Sequence, residues 1–211
     1  MATEPTPSNE SSKKPGRAQT VQPVLEQLFQ HYPQLFGAQF LPLKLGIFQE
    51  LLANHPDKFE RVTLKAALGL HTRSTRYLQS VAAGNMRHDL QGLAVEPVTP
   101  EHVYLAMLEL FRRRQGRTQE DLRPKFRAQL MIAFDASGLS RQDYLARVQT
   151  QDAEANALLE DALTLHDEKR AKQEALSRAF NNSGKPIDEF IEMYGLNKRD
   201  VEQALANQRS T

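Results

Sequence analysis

The sequence predicts a mainly α-helical protein: a helical domain with one small β-hairpin, then an all-α module of two three-helix repeats. Three observations predict it. From Val21 onward, apolar residues recur at helical spacing. One stretch around Gly92 switches to short runs on either side of a turn. After Pro124 the chain resembles itself at an offset of 46 residues.

The elements follow in order. Residues 1–20 hold three Pro, three Ser and three Thr with almost nothing to bury, and read as a disordered, slightly basic tail. Val24, Leu25, Leu28 and Phe29 form the stripe of a first helix, closed by the turn from His31 to Gly37. A second helix is expected to start near Pro42, a favoured first helical position. It carries Lys44 in its first turn, then Ile47, Phe48, Leu51 and Leu52. A third covers about Val62 to Leu70, with Leu64, Ala67 and Leu68 inward. His71 to Ser74 then reads as a break and a new N-cap for a fourth helix holding Tyr77, Leu78 and Val81. Gly84 ends it. Met86 to Val95 reads as a hairpin turning at Gln91-Gly92. Thr99-Pro100-Glu101 opens the next helix with a capping hydroxyl, Pro at its first position and an acid in its first turn. Arg112 to Arg114 suit the C-terminal end of its dipole.

In the repeat, Leu130 matches Leu176, Ala133-Phe134 matches Ala179-Phe180, and Ser137-Gly138 matches Ser183-Gly184. Tyr144-Leu145 matches Phe190-Ile191, and Leu159 matches Leu205. Each copy reads helix, turn, helix, helix. From Leu139 to Ser183 there is no Gly or Pro, so the third helix of copy one is expected to run into the first of copy two. The expected organisation is a tail over 1–20, a domain over 21–123 and the helical repeat over 124–207.

Composition narrows the function. The chain has 211 residues, 40% hydrophobic and 25% charged, with no cysteine. That excludes disulfides, a thiolate nucleophile and Cys-ligated metal. The longest purely apolar run, Leu130 to Phe134, is far too short to span a bilayer, and residues 1–20 lack the apolar core of a secretory signal. No membrane association and a cytoplasmic location are expected. Residues 21–125 carry 13 Lys and Arg against 10 Asp and Glu, net +3; residues 126–211 carry 11 against 14, net −3. A basic half beside an acidic half points to a polyanion surface on one side only.

Catalytic signatures are absent: no phosphate-binding glycine loop, nucleophile elbow or zinc-binding His pair occurs. His88 beside Asp89 makes a poor acid–base pair, because neighbours in a strand point to opposite faces. No catalytic residue, cofactor or metal is expected. What the chain does carry is a series of cations between residues 44 and 87. Arg61 and Lys65 share a helix face at i,i+4, and Arg73, Arg76 and Tyr77 cluster around the fourth helix start. Thr72 and Ser74 frame that helix N-terminus, a site suited to a phosphate or terminal ribose. Arg87 sits in the hairpin. On spacing alone two readings stay open: a surface for unpaired RNA with Tyr77 as stacking face or hydroxyl donor, or a solvated helix face with Tyr77 in the core.

The strings HYPQLF, PLKLGIF, LKAALGLHTRSTRYL and AAGNMRHDLQG, in that order, resemble the ProQ/FinO family of bacterial RNA chaperones over about His31 to Arg114. The resemblance implies a ProQ/FinO-like helical domain that binds structured RNA. Its expected partners are small RNAs and mRNA 3′ ends, recognised as an intrinsic terminator hairpin with a 3′ U-tail. It implies that such RNAs are stabilised and their pairing promoted, in post-transcriptional regulation. Carried over, it marks Lys44, Lys65, Arg76, Tyr77, Arg87 and Asp89, with Arg61, Thr72, Arg73 and Ser74 as neighbours. No lysine-rich linker or β-barrel follows; the acidic repeat stands there instead and resembles no family. It is expected to dock a protein partner or a second copy through 126–207. The competing class is a helical protein–protein adaptor without direct RNA binding.

Overall fold

The computed structural model describes residues 17–37 and 39–208, with side chains over 21–37 and 39–206. The expected disordered tail lies outside the described residues, except that 17–20 already belong to the first helix. The chain divides into two compact units, Met1–Leu110 and Phe111–Thr211.

The first unit holds α1 (Arg17–His31), α2 (Pro33–Phe36), α3 (Ile47–Asn54), α4 (Arg61–Thr72) and α5 (Thr75–Ala82). Strands β1 (Arg87–His88) and β2 (Ala94–Glu96) follow, then the start of α6 (Pro100–Gln115). α4 is the central element, packed by α1, α3 and α5. Its inward residues Leu64 and Ala67 are fully buried with Leu28, Leu35 and Leu51. Truncating such a leucine to Ala costs roughly 2–5 kcal/mol. β1 and β2 pair antiparallel, Arg87 opposite Glu96 and His88 opposite Ala94, with an irregularity between. The Asp89 carboxylate closes the hairpin by accepting from the N–H groups of Gln91 (3.0 Å) and Leu93 (2.9 Å).

Two local expectations are corrected. The helix expected near Pro42 begins at Ile47. Gly46 takes φ 84°, a left-handed turn that a continuous helix cannot contain. The preceding residues are extended instead: the His88 N–H donates to the Pro42 carbonyl (2.7 Å), and the Lys44 N–H to the His88 carbonyl (2.9 Å). Proline's fixed φ fits either conformation, so the strand partner decides. Lys44 therefore lies on an extended edge, not in a first helical turn. Phe29, placed in the first stripe, is 51% exposed; among the described side chains of α1, Val21 and Leu28 are the buried ones.

The second unit holds α7 (Arg123–Ser137), α8 (Arg141–Val148), α9 (Ala153–Ser183), α10 (Ile187–Tyr194) and α11 (Lys198–Gln208). The two three-helix repeats are present, and their joint is the 31-residue α9. α10 is the image of α8 at the 46-residue offset. The turns match atom for atom. Gly138 and Gly184 both take left-handed φ, 63° and 62°. The Ser137 and Ser183 hydroxyls donate to the Phe134 and Phe180 carbonyls, at 2.6 and 2.7 Å. Phe134 meets Tyr144 edge-on at 5.2 Å, and Phe180 meets Phe190 edge-on at 5.3 Å. No described helix is long and apolar enough to cross a membrane.

Candidate nucleic-acid interface

α4 begins the site. Its inner stripe of Leu64, Ala67, Leu68 and His71 fixes its rotation, so Arg61 and Lys65 are exposed on the outer side. The Arg61 guanidinium rests over the Phe48 ring at 5.5 Å. Among the described residues neither Arg61 nor Lys65 makes an ion pair.

At the α4–α5 junction Arg73 and Arg76 are exposed, and the Arg76 guanidinium lies over Phe40 at 5.9 Å. Ser74 is the N-cap of α5, its hydroxyl accepting from the Tyr77 N–H at 3.2 Å. Thr72 is the last residue of α4, and its hydroxyl donates to the Leu68 carbonyl at 2.9 Å. Both hydroxyls of the expected cap thus have partners within the fold.

Tyr77 and Arg87 lie deeper. Tyr77 is 7% exposed and Arg87 6%. The Tyr77 hydroxyl accepts from the Leu43 N–H at 3.0 Å, and the Arg87 guanidinium donates to the Leu43 carbonyl at 3.0 Å. Burial raises the Tyr77 phenol above its ordinary pKa, opposed by the Leu43 N–H and by Arg87. The two side chains clamp both backbone groups of Leu43, and so set where Lys44 stands. Packing takes the ring faces of Tyr77 away from a stacked base, as the core reading of this residue had it.

Lys44 donates to Glu50 at 2.5 Å. That bond first, then the charges of Glu50, Asp89 and Glu96, hold its ammonium above the ordinary lysine value. Lys44 is locally neutralised, whereas Arg61 and Lys65 are not. Asp89 orders the hairpin turn, as described above. Sequence reading missed the two aromatic rests under Arg61 and Arg76. It also missed the Leu43 clamp, because contacts 34 and 44 residues apart leave no local signal.

His71 sits beneath this surface, 5% exposed, with its ring against Phe36, Phe40 and Tyr77 at 4.7, 4.5 and 5.3 Å. Its Nε2 has no hydrogen-bond partner among the described residues. Burial lowers its pKa from 6.5 to about 4, so it is neutral at pH 7. No group of three or more His, Asp or Glu able to hold a metal occurs among the described residues.

The second unit differs. Arg127 pairs with Asp161, Arg141 with Glu160 and Asp167, Arg170 with Glu174, Lys185 with Glu189 and Lys198 with Asp188. Five of the ten Lys and Arg described over 126–206 are thus answered by acids of the same stretch.

A small helical domain with a hairpin and an unneutralised cation row along one helix defines a polyanion-binding module. The chain belongs to the ProQ/FINO family, whose model matches residues 18–123. This is a non-enzymatic family of RNA-binding proteins. The RNA chaperone ProQ of Shewanella frigidimarina is 37% identical over 91 residues, 41% of this chain and 45% of that protein. The protein of the same name from Idiomarina loihiensis is 40% identical over 83 residues, 37% and 40% of the two chains. The chain thus spans less than half the length of these curated relatives. Among solved structures, a FinO-like RNA chaperone from Neisseria meningitidis is 32% identical. It covers 43% of this chain and 93% of its own, with a TM-score of 0.39. A ProQ homolog from Legionella pneumophila is 26% identical, covering 56% and 99%, with a TM-score of 0.37.

Proposed function

We propose that this protein is a cytoplasmic RNA chaperone. It binds structured small RNAs and mRNA 3′ ends as an intrinsic terminator hairpin with a 3′ U-tail, stabilises them and promotes RNA–RNA pairing. The binding domain is residues 21–123; the repeat over 124–207 docks a protein partner or a second copy. One observation carries the reading: the exposed cations of α4 and the α4–α5 junction, of which Arg61 and Lys65 make no ion pair among the described residues, in a family of RNA-binding proteins.

Duplex phosphates at the stem base would meet Arg61, Lys65, Arg73 and Arg76, and Lys44 would join them by exchanging Glu50 for a phosphate. Tyr77, Arg87 and Asp89 act underneath, holding the Leu43–Lys44 edge and the hairpin. Thr72 and Ser74 shape the α5 N-terminus, whose backbone N–H groups face toward the 3′ end of the tail. Residues 126–211, net −3, are disfavoured as the main RNA surface.

Anisotropy titrations of the full chain test this with a labelled terminator hairpin bearing a U-tail, the same hairpin without it, and DNA of equal sequence. The tailed RNA should bind best. Lys65→Glu or Arg76→Glu should weaken it roughly tenfold, about 1.4 kcal/mol, while Lys169→Glu in α9 should not. Equal affinity for all three nucleic acids would refute reading of the 3′ end. An equal loss from Lys169→Glu would refute the division between the units.

A further inference from the structure

Positions 61, 65, 69 and 73 follow one another at one-turn intervals along α4 and its C-cap, about 6 Å apart in rise. Three of them are cations: Arg61, Lys65 and Arg73, all exposed. The fourth is Gly69, inside the helix, where glycine is among the poorest choices. Its backbone does not require glycine, since it is not among the residues with positive φ. The reason lies in what a side chain there would meet. A Cβ built on Gly69 would stand 3.3 Å from one terminal nitrogen of the Arg73 guanidinium, 3.5 Å from the other and 3.6 Å from its central carbon. The Arg73 guanidinium thus lies against the space that a Gly69 side chain would take. Its charge therefore sits one turn back from its own Cα, next above Lys65. The result is a row of cations at the levels of 61, 65 and 69. Like charges one turn apart repel, and the first two have no acid to offset them. A row of this kind is suited to an anion that also runs in steps, a nucleic-acid backbone.

We propose that Gly69 is a positioning residue for RNA binding: its missing side chain lets Arg73 fold back along α4 as the third cation of the row. This rests on the RNA-binding reading above, and the experiment separates the two. Gly69→Ala, Gly69→Leu, Arg73→Ala, Gly69→Leu/Arg73→Ala and Gly69→Lys/Arg73→Ala are compared in the full chain. The readouts are affinity for the tailed terminator RNA, its salt dependence and the thermal midpoint. Arg73→Ala should weaken binding about fivefold and reduce the magnitude of the log–log salt slope by about 0.7–0.9, one phosphate contact. Gly69→Leu should lose as much affinity while its thermal midpoint holds or rises, because leucine is the better helix former. Gly69→Ala should fall between, since a shift of a few tenths of an ångström accommodates one methyl. The Leu/Ala double variant should be no weaker than Arg73→Ala, and the Lys/Ala variant should return to wild-type affinity, with a cation again at that level. Wild-type affinity in Gly69→Leu beside a weakened Arg73→Ala would overturn the role of Gly69. So would failure of the Lys/Ala rescue, which decides the matter even if Gly69→Leu melts early. Wild-type affinity in Arg73→Ala, with Lys65→Glu still weakened, would overturn this inference and leave the RNA reading standing. A wild-type chain that binds no RNA would end both.

Discussion

His71 places an acid limit on the first unit. Its pKa is about 4 when folded and 6.5 in an unfolded chain. Above pH 6.5 it is neutral in both states and stability is unaffected. Below 6.5 the unfolded chain takes the proton first, so stability falls until pH 4, by a total on the order of 3 kcal/mol. His71→Phe should remove this dependence from its aromatic surroundings. Denaturant titrations at pH 7 and pH 4.5 should therefore show a smaller loss in the variant than in the wild type; parallel losses would mean that His71 is not the group responsible. Tyr77 makes a second case. Tyr77→Phe keeps the ring and deletes the acceptor of the Leu43 N–H, leaving a buried donor unpaired at a cost of about 1–3 kcal/mol. Equilibrium unfolding should register that loss, with RNA affinity less changed than in Arg76→Glu. An unchanged midpoint together with a tenfold affinity loss would put the hydroxyl on the RNA instead.

At the scale of elements, the repeat is governed by its turns. Gly138 and Gly184 end α7 and α9 in the same left-handed conformation, which an alanine adopts only with strain. Gly138→Ala and Gly184→Ala should each lower unfolding free energy by about 1 kcal/mol, read as a shifted denaturant midpoint at constant slope. A neutral result at one position would show that the matched turns are not energetically matched. This part of the fold was legible in the sequence, because matched apolar residues and a Ser-Gly turn at fixed offset are local signals. The Ser74 cap and the hairpin at Gly92 were legible for the same reason. The second helix was misplaced because Pro42 fits a strand edge as well as a helix start. The arbiter was His88, 46 residues from Pro42, through two backbone hydrogen bonds. In the candidate site the exposed arginines and lysine could be read from i,i+4 spacing. The burial of Arg87 could not, since an arginine in a hairpin usually stays in water and here it is held by the Leu43 carbonyl.

Across the whole molecule charge is divided along the sequence, +3 over 21–125 and −3 over 126–211. Among the described residues Arg61 and Lys65 have no acid partner, while Arg127, Arg141, Arg170, Lys185 and Lys198 pair with acids of 126–206. The central claim is that RNA is held through its phosphates by the cations of α4, the α4–α5 junction and Lys44. The salt dependence of binding tests it most directly. Four to five phosphate contacts, from Arg61, Lys65, Arg73, Arg76 and Lys44, predict a slope of log affinity against log salt of about −3 to −4.5 for the full chain on a tailed terminator hairpin. A slope near zero, or one unchanged in the Arg61→Ala/Lys65→Ala double variant, would contradict the account.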